Sequence, residues 1–525
     1  MKKDLKYFIL LMLLTINVYS QAPNIEWQKT FGGTENEEGF SVCLTHGGYY
    51  AITGYTRSSN VYIVNSHGFH DFWIIKIDSL GNLFWNNCYG GGDAEISHAI
   101  KQTLDSGFII AGDASSPDGD VTGVHFGRPD FWVVKTDKTG ILEWQKCIGG
   151  DGWDFAYSII QTADSGYLVT GETMSFDGDV TGFHGGTDVL VVKLSSSGTI
   201  QWTKALGGSD WDGGQSCVQR LNGNYLITGT AASIDGDVTG NHNSSTDVWV
   251  VELDSAGNLL WQKCYGGSGI DNANSILLSD DGGFYISAFS SSNDGDISGN
   301  HGSADMLLIK ADSVGVIEWQ RCYGGVNTER SYSSCLTSDG GVLLVGFAGL
   351  DDGMVTGNHG GTWPYYSDFW AIKTDSIGNF EWGKCLGGTA VDVANDAIET
   401  PDGGYLIVGT TESNDYDVTN NLGGKDVWVV KLSSPFSGIP QIENELMDIS
   451  ITSQHEQLLL RFFSKHSGIA RANIFDSQGK MVLTEKIKIN EGINYHIFND
   501  VNFAQGMYYV NIEGDARGSG KVVVQ

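Results

Sequence analysis

A tryptophan followed five residues later by a Gly-Gly pair occurs seven times in this 525-residue chain. The tryptophans, spaced by 58, 59, 58, 59, 58 and 63 residues, are Trp27, Trp85, Trp144, Trp202, Trp261, Trp319 and Trp382. Self-similarity at a fixed period indicates copies of one supersecondary unit, which stack because no copy buries its hydrophobic face alone. The repeat therefore restricts the chain to repeat architectures.

One repeat unit, residues 154–208, divides into four short strands. "FAYSIIQTA" ends at the turn "DSG", "YLVTGETM" follows, and "DVLVVKL" and "TIQWTKALGG" flank the turn "SSSG". Strand patterns joined by two hairpins and one long loop predict a four-stranded antiparallel sheet. Repetition of such sheets is typical of the blades of a β-propeller.

The two ends of the repeat region predict a closed ring. Third-strand segments begin seven times, at Asp71, Asp130, Asp188, Asp247, Asp305, Asp368 and Asp426. The last one has no tryptophan strand after it, whereas "IEWQKTFGG" stands alone near the N-terminus. We therefore predict an all-β fold with a seven-bladed β-propeller over residues 22–434. Its N-terminal strand would close the last blade and remove exposed sheet edges.

The charge balance and the N-terminus indicate an exported protein. The chain has 63 acidic and 30 basic side chains, a formal charge of -33, which disfavours nucleic acid and anionic lipid as partners. Lys2, Lys3 and Lys6 precede an apolar run too short for a comfortable membrane span. Residues 1–20 are predicted to be a signal peptide, and no transmembrane span is predicted in the mature chain.

The eight cysteines are predicted to be buried free thiols. Five of them lie three residues after one of the seven repeat tryptophans, each in a different repeat. Thr30 and Ala205 occupy this position in the other two repeats. A small side chain is therefore expected at this position. The sequence contains no CxxC pair, so a zinc site is not expected.

An acid follows every Gly-Gly pair after four residues. The seven are Glu37, Glu95, Asp154, Asp212, Asp271, Glu329 and Asp392. A catalytic acid is needed once or twice, so we expect these side chains to cap backbone N–H groups at the corner between blades.

A second acidic pattern lies in the long loop between the second and third strands. Blades two to five contain Asp-x-Asp-x-[Ser/Thr]-Gly, and an acid such as Asp188 follows about twelve positions after the first Asp. Oxygens at these spacings resemble a calcium loop, although strands would flank it. The candidate ligands are Asp118, Asp120, Asp177, Asp179, Thr181, Asp188, Asp235, Asp237, Asp294 and Asp296. Calcium binding and a self-bonded acidic turn both stay open.

Histidines end these loops in six blades, at His67, His125, His184, His242, His301 and His359. With one histidine per blade, neither a shared metal site nor a Ser-His-Asp triad is expected. We expect hydrogen bonds to neighbouring loops.

Aromatic residues that break the repeat are the candidate ligand-binding groups. They are Trp153, Trp211, Trp363, Tyr365 and Tyr366, and all map to the loop face. An aromatic ring stacks on the C–H face of a sugar while nearby acids accept hydroxyl hydrogen bonds, so the set predicts a glycan site. Local packing of longer loops is the alternative.

The composition changes after residue 434. A linker over 435–444 precedes about 80 residues with strand patterns such as "QLLLRFF" and "GMYYVNIEG", which predict a small β-sandwich over 445–525. "NIFDSQGKMV", "FAQGMYYVNIEG" and the terminal "KVVVQ" resemble the C-terminal sorting domain, type A, of the type IX secretion system of Bacteroidetes. Gly479, Lys480, Gly506, Tyr508 and Lys521 match its motif. The Asn-Pro that often begins this domain is absent here, where the sequence reads "IENELMDISI".

The resemblance implies export across the outer membrane by the type IX machinery, which would be a partner. It also implies cleavage of the domain and attachment of the cargo at the cell surface. We therefore expect an outer-membrane surface or extracellular binding or adhesion module for a glycan or protein ligand. An enzyme acting on polysaccharide, a hydrolase or lyase, needs a carboxylate pair, and the pattern shows only repeated acids. An enzyme is thus not expected, and a structural surface coat is the further alternative.

Overall fold

The computed structural model divides between Ser433 and Ser434 into two compact units. It describes residues 21–123, 128–242, 245–360, 366–434, 446–454, 457–464, 467–476, 480–490, 492–498, 506–514 and 518–524. These residues form strands and turns without a helix. Accordingly, no helix in these ranges has the length and apolarity needed to cross a membrane. The predicted signal peptide and linker lie outside the described residues.

The first unit consists of four-stranded antiparallel sheets, seven of them within the described residues. The first three are β2 (Glu37–Leu44), β3 (Tyr50–Thr56), β4 (Asp71–Ile77), β5 (Leu83–Tyr89); β6 (Glu95–Gln102), β7 (Phe108–Ala114), β8 (Asp130–Thr136), β9 (Leu142–Ile148); and β10 (Asp154–Gln161), β11 (Tyr167–Thr173), β12 (Asp188–Leu194), β13 (Ile200–Leu206). The next three are β14 (Asp212–Gln219), β15 (Tyr225–Ala231), β16 (Asp247–Leu253), β17 (Leu259–Tyr265); β18 (Asp271–Leu278), β19 (Phe284–Ser290), β20 (Asp305–Ala311), β21 (Ile317–Tyr323); and β22 (Glu329–Leu336), β23 (Val342–Ala348), β24 (Asp368–Thr374), β25 (Phe380–Leu386).

The seventh sheet joins the two ends of the unit. It contains β26 (Asp392–Glu399), β27 (Tyr405–Thr411), β28 (Asp426–Leu432) and the N-terminal strand β1 (Ile25–Phe31). β1 pairs antiparallel with β28, from Ile25 opposite Leu432 to Phe31 opposite Val427. The indole of Trp428 donates a 2.8 Å hydrogen bond to Gln28 on β1. The same bond joins Trp132 to Gln145 and Trp249 to Gln262 within their sheets, both at 2.8 Å.

Face-to-face packing of the sheets explains the burial along each strand. The second and third strands of every sheet are buried at all positions, as in β7 and β8. Their sequences are rich in β-branched and aromatic residues, which suit a strand covered on both faces. Fourth strands such as β9 are exposed or half-buried at their start. Each sheet therefore buries its middle and leaves its outer strand towards solvent.

The innermost strand of each sheet contacts the innermost strand of the next. These contacts run from β2 through β6, β10, β14, β18 and β22 to β26, and β2 also contacts β26, β27 and β28. The unit is thus β-propeller-like, with the first strand of every sheet at its centre.

Each Gly-Gly corner is a site of close approach. A Cβ atom on Gly90 would lie 2.2 Å from Asp71 Oδ1 and 2.7 Å from Glu95 Oε2. The first glycines of the other six pairs are likewise flanked by two carboxylates. Only a residue without a side chain fits between these buried groups, which explains why Gly-Gly recurs with the acids.

The second unit contains two antiparallel sheets. Their strands are β29 (Leu446–Gln454), β30 (Gln457–Ser464), β31 (Gly468–Asp476), β32 (Met481–Ile489), β33 (Gly492–Phe498), β34 (Gly506–Gly514) and β35 (Gly518–Val524). The sheet orders are β29-β30-β33 and β32-β31-β34-β35. Phe462 of the first sheet and Ile474 and Ile512 of the second belong to one hydrophobic core. The two sheets therefore pack together as a small sandwich.

All eight cysteines are free thiols in the first unit, and six of them are buried. Burial raises the pKa of the Cys43 thiol to about 11 and that of Cys217 to about 12. Because the thiolate is the reactive form, these groups act as small apolar packing residues.

The close approach at the corners predicts different effects for two neighbouring glycines. Gly90→Ala forces a Cβ between two buried carboxylates, so we expect a loss of about 1–3 kcal/mol in the free energy of unfolding. Gly92→Ala is the control, since the nearest atom to its added Cβ is 3.5 Å away, at Asp118. Urea unfolding of both variants measures the difference, and equal stabilities would contradict the packing argument.

Candidate functional site

The repeated acids cap the corners between sheets. At each corner the N–H of the second glycine donates to the acid four residues later, as from Gly91 to Glu95 Oε2 at 2.8 Å and from Gly208 to Asp212 Oδ2 at 2.8 Å. The same bond occurs in the other five corners. All seven acids are fully buried. The predicted capping role is confirmed.

A second fully buried carboxylate faces each of these acids across the first glycine. It belongs to the aspartate that begins the third strand, for example Asp368 opposite Asp392 at Gly387. Burial raises the pKa of Asp392 to about 7, and the charge of Asp368 adds to the shift. Burial likewise raises the pKa of Asp368 to about 6. Because burial and a nearby like charge disfavour ionisation, Asp368 and Asp392 hold protons more tightly than exposed carboxylates do.

The loop histidines bind these third-strand aspartates. His184 Nδ1 lies 2.9 Å from Asp188 Oδ2, and the equivalent distance is 2.7 Å for His242 and Asp247. The other ring nitrogen points towards the next loop, with His184 Nε2 3.7 Å from Asp237 Oδ2. His125 lies outside the described residues. The ring hydrogen bonds of His184 and His242 therefore go to the third-strand aspartate of the same blade and not to the neighbouring loop as predicted; both rings approach the next loop at 3.7 Å.

The first aspartates of the long loops also bind backbone. Asp177 Oδ1 accepts the N–H of Asp151 at 2.9 Å. The equivalent bonds reach Asp118, Asp235 and Asp294. At the third position of the loop motif, the backbone N–H donates to the carbonyl of a corner glycine. This bond is made by Asp120, Asp179, Asp237 and Asp296. The long loops are therefore fastened to the corners by local hydrogen bonds.

The geometry does not gather the predicted calcium ligands around one point. Thr181 Oγ1 donates to the carbonyl of Thr203 at 2.8 Å, and Asp188 Oδ2 accepts from His184. Across the described ranges, no group of three or more His, Cys, Asp or Glu side chains is arranged to hold a metal ion. The bonding of these loops favours the self-bonded acidic turn.

The predicted ligand-binding aromatics are spread over the loop end of the first unit. Trp153 is 47% exposed and lies edge-on to Phe155, with ring centroids 6.0 Å apart. Trp211 is half-buried and donates its indole N–H to Glu172 Oε2 at 3.1 Å. Tyr366 is 44% exposed. Trp363 and Tyr365 lie outside the described residues.

A β-bulge on every innermost strand creates a site that the sequence analysis missed. The register of each first strand against its second strand shifts once, at the third residue after the repeated acid. A bulge leaves one residue unpaired and re-aims its side chain. The seven bulge residues are Phe40, His98, Tyr157, Gln215, Asn274, Tyr332 and Asn395. All seven line one pocket of about 410 Å³, which we call the central pocket.

One side of the central pocket is aromatic. The His98 ring lies 5.2 Å from the Phe40 ring and 5.2 Å from the Tyr157 ring, measured between centroids. These residues come from the consecutive innermost strands β2, β6 and β10. The following sheets supply the amides Gln215 and Asn274. The pocket therefore pairs an apolar wall with a hydrogen-bonding wall, as small-molecule sites do.

Two buried acids support the aromatic side from behind. His98 Nε2 lies 3.3 Å from Asp113 Oδ1, and the Tyr157 hydroxyl donates to Glu172 Oε1 at 2.9 Å. Burial raises the pKa of both carboxyl groups. Asp113 and Glu172 occupy one repeat position, which is Tyr55, Thr230, Phe289, Phe347 and Thr410 in the other sheets. The view that only repeated acids lie on this face was therefore wrong.

An ion-pair triad forms part of the rim. Lys425 Nζ lies 2.8 Å from Glu38 Oε1 and 3.8 Å from Glu412 Oε1. All three residues line the central pocket. The two carboxylates raise the pKa of Lys425 against the opposing effect of its burial. One ammonium shared by two carboxylates leaves the rim negative.

Comparison with known proteins identifies the end of the chain. Residues 454–525 match the model of the family described as the secretion system C-terminal sorting domain. The chain carries a secretion sorting domain. This domain indicates export by the type IX system, so the protein is secreted or at the cell surface.

The motif residues of this domain lie on or next to its second sheet. Lys480 directly precedes β32, and Gly506 begins β34. Tyr508 is buried in the core, and Lys521 of β35 pairs in register with Tyr509. Gly479 lies outside the described residues.

The other similarities are weak. The regulatory protein FlaEY of Caulobacter vibrioides is 25% identical over 209 residues, which cover 38% of this chain and 20% of that protein. A fungal alcohol oxidase of the AA5 family, in complex with copper, has a TM-score of 0.43 at 12% identity, covering 96% of this chain and all of that one. Puromycin hydrolase has a TM-score of 0.43 at 9% identity, covering 85% of this chain and 62% of that one. These similarities assign no activity.

The buried carboxyl pairs predict a pH-dependent stability. Because the folded-state pKa values of Asp368 and Asp392 are raised from 3.8 to about 6 and about 7, their contribution to stability is fully present below the unfolded-state pKa and is lost as the pH rises through 6 to 7. Asp368→Asn removes one charge and places an amide donor where Asp368 Oδ1 has no partner among the described residues. We expect this variant to be more stable than the parent at pH 8 by on the order of 1–2 kcal/mol. Urea unfolding at pH 5 and pH 8 measures it, and a variant that is less stable at both would refute the like-charge argument.

The self-bonded loops predict little response to calcium. Since their carboxylates already accept backbone N–H groups, we expect excess calcium or EDTA to move the melting temperature of the full chain by less than about 2 °C. Differential scanning calorimetry in both buffers measures the shift. A larger rise with calcium, lost in Asp177→Asn, would restore the calcium interpretation.

Proposed function

We propose that this protein is an exported seven-bladed β-propeller that binds an extracellular glycan at the central pocket. In this proposal it acts as a binding or adhesion module, either released or held at the outer-membrane surface. The resemblance of its C-terminal motifs supports a Bacteroidetes source and the type IX machinery as a partner.

The strand pairing supports a closed ring of seven blades. β1 completes the last sheet, and β2 of the first sheet contacts β26, β27 and β28 of the last. A backbone bond from Glu37 N–H to the Lys425 carbonyl, 2.8 Å long, crosses this junction. The equivalent bonds cross the other six junctions, as between Asp212 and Thr187 at 2.7 Å. The junction between the last sheet and the first sheet therefore has the same type of backbone hydrogen bond as the other six junctions.

One observation carries the binding proposal. The same features recur from blade to blade in the buried corners, the repeat tryptophans and the turns. The seven bulge residues, in contrast, are of five different types. These side chains lie where the innermost strands meet, at a position whose residue type changes from sheet to sheet. A repeated scaffold with different side chains around its centre offers an asymmetric ligand a different contact on each side.

The chemistry of the pocket supports a glycan. Phe40, His98 and Tyr157 offer a surface for the C–H face of a sugar ring, and the amides opposite can bond its hydroxyl groups. Trp153 and Tyr366 are exposed at the same end of the sheets, next to the starts of β10 and β24. They could extend the contact to further sugar residues of a chain.

A second candidate function is cleavage of a polysaccharide by a hydrolase or lyase reaction. Asp113 and Glu172 favour it. These acids are not repeated, are buried, have raised pKa values, and contact two side chains of the central pocket. A general acid needs such a raised pKa. Both acids, however, stand behind His98 and Tyr157, so we favour binding over catalysis.

A glycan array probed with the full secreted chain tests the proposal. Phe40→Ala removes the end of the aromatic wall, so we expect about a tenfold loss of affinity for each bound glycan, or about 1.4 kcal/mol. Phe84→Ala is the control, because Phe84 is 60% exposed on the outer strand β5. No glycan bound, or equal binding by both variants, would overturn a glycan site in this pocket.

The same glycans separate binding from catalysis. Release of new reducing or unsaturated ends, abolished by Asp113→Asn or Glu172→Gln, would make the protein an enzyme. Glycans that remain intact after prolonged incubation with bound protein would support the binding module.

A further inference from the structure

Resting on the proposed function, we infer that the central pocket takes the end of a neutral glycan chain and discriminates against chains that carry carboxylate or sulfate groups. The inference concerns the class of ligand, and it follows from the shape, the hydrogen-bonding groups and the charge of the pocket.

The shape selects a chain end. All seven innermost strands contribute lining residues, so the wall surrounds an occupant on every side. A groove open at both ends, which the interior of a chain requires, is not formed by these described residues. A volume of about 410 Å³ is near the lower end of the roughly 300–1,000 Å³ range of ligand pockets and suits one or two sugar rings.

Hydrogen bonds behind the lining make this wall rigid. Asp396, one residue beyond the bulge residue of β26, accepts the Ser41 hydroxyl at 3.0 Å and the Val42 N–H at 2.9 Å. Its other oxygen accepts the Ser333 hydroxyl at 2.7 Å. One carboxylate thus ties together the innermost strands of three sheets. A pocket held in this way is pre-organised, which limits the entropy lost on binding.

The lining amides present acceptors to the pocket. Asn274 Nδ2 donates to the Ser331 carbonyl at 2.7 Å, and Asn395 Nδ2 donates to the Gly39 carbonyl at 2.8 Å. With one N–H of each amide bonded to the neighbouring sheet, the amide oxygen and the second N–H are left for a ligand. The Tyr157 hydroxyl gives its proton to Glu172, so its oxygen also accepts. Acceptors complement the O–H donors of a sugar, whereas ionised carboxylate and sulfate groups offer no donor.

The charge of the pocket rim also favours neutral over acidic glycans. Glu38 and Glu412 share the single ammonium of Lys425 at the rim. Lys425 is the one lysine, and no arginine is present, among the described residues that line the pocket. An anionic sugar would therefore approach an uncompensated carboxylate on a chain whose formal charge is -33. Like-charge juxtaposition is a standard source of specificity at a binding site.

Calorimetry with tetrasaccharides of matched length tests the inference. The probes are neutral cello-, xylo-, manno- and chito-tetraose and the acidic tetramers of galacturonate and mannuronate. We expect at least one neutral tetramer to bind about tenfold or more tightly than either acidic tetramer at low salt. Acidic tetramers that bind as tightly as neutral ones would overturn the inference and leave the glycan proposal standing. If none of these sugars binds and the glycan array is also blank, both proposals fail.

A charge variant provides an independent readout. Glu412→Gln removes one rim carboxylate, so we expect the ratio of acidic to neutral affinity to rise on the order of fivefold. Asp280→Asn is the control, because Asp280 is exposed at the hairpin between β18 and β19, away from the loop end. An unchanged ratio in Glu412→Gln, or an equal rise in both variants, would overturn selection by rim charge.

Chain-end recognition has its own test. A neutral polymer that binds is partly hydrolysed, and the number of binding sites per gram is measured before and after. Sites that increase in proportion to the chain ends support recognition of a chain end. Sites that stay constant per sugar residue would contradict it.

Discussion

The first unit depends on one recurrent constraint, a glycine held between two buried carboxyl groups at the corner where one sheet passes to the next. The second glycine of the pair donates its N–H to one of these acids, and a histidine or a backbone N–H binds the other. This arrangement fixes the chain path from the outer strand of one sheet to the innermost strand of its neighbour. It also carries a cost where both pKa values are raised, as at Asp368 and Asp392, because burial works against ionisation of both groups.

The constraint explains why the candidate site lies where it does. With corners and middle strands committed to packing, the bulge on each innermost strand is a position where a side chain leaves the sheet without disturbing the ladder. Bulge residues form the aromatic side of the central pocket and the amides opposite, and the Lys425 triad lines the same pocket. The seven repeats thus supply the frame, and the chemistry is confined to what differs between them.

The sequence predicted the frame better than the site. Trp27 and its equivalents, the Gly-Gly pairs and the third-strand aspartates set the strand order, because each has one packing role that repeats. The corner acids were correctly interpreted for the same reason. The bulge residues carry no comparable signal, because Phe40, His98 and Tyr157 neither break the repeat like the loop aromatics nor repeat like the acids. Comparing the third residue after each repeated acid would have found them, since that position holds a large aromatic or amide side chain directly after a Gly, Ser or Ala in every repeat. Asp113 and Glu172 could have been noticed by the same comparison.

The pairing of β1 with β28 has a consequence for how the protein becomes folded. Gln28 and Trp428 are hydrogen-bonded although 400 positions separate them in the chain. Contacts of such long range form late, because the entropy of closing a large loop opposes them until the intervening sheets are in place. The last sheet therefore remains three-stranded, with an open edge along β28, until both ends of the repeat region are available. A chain folding from its N-terminus must keep β1 unpaired for most of that time, so the pairing of β1 with β28 sets the moment at which this sheet stops exposing an edge that could join another molecule.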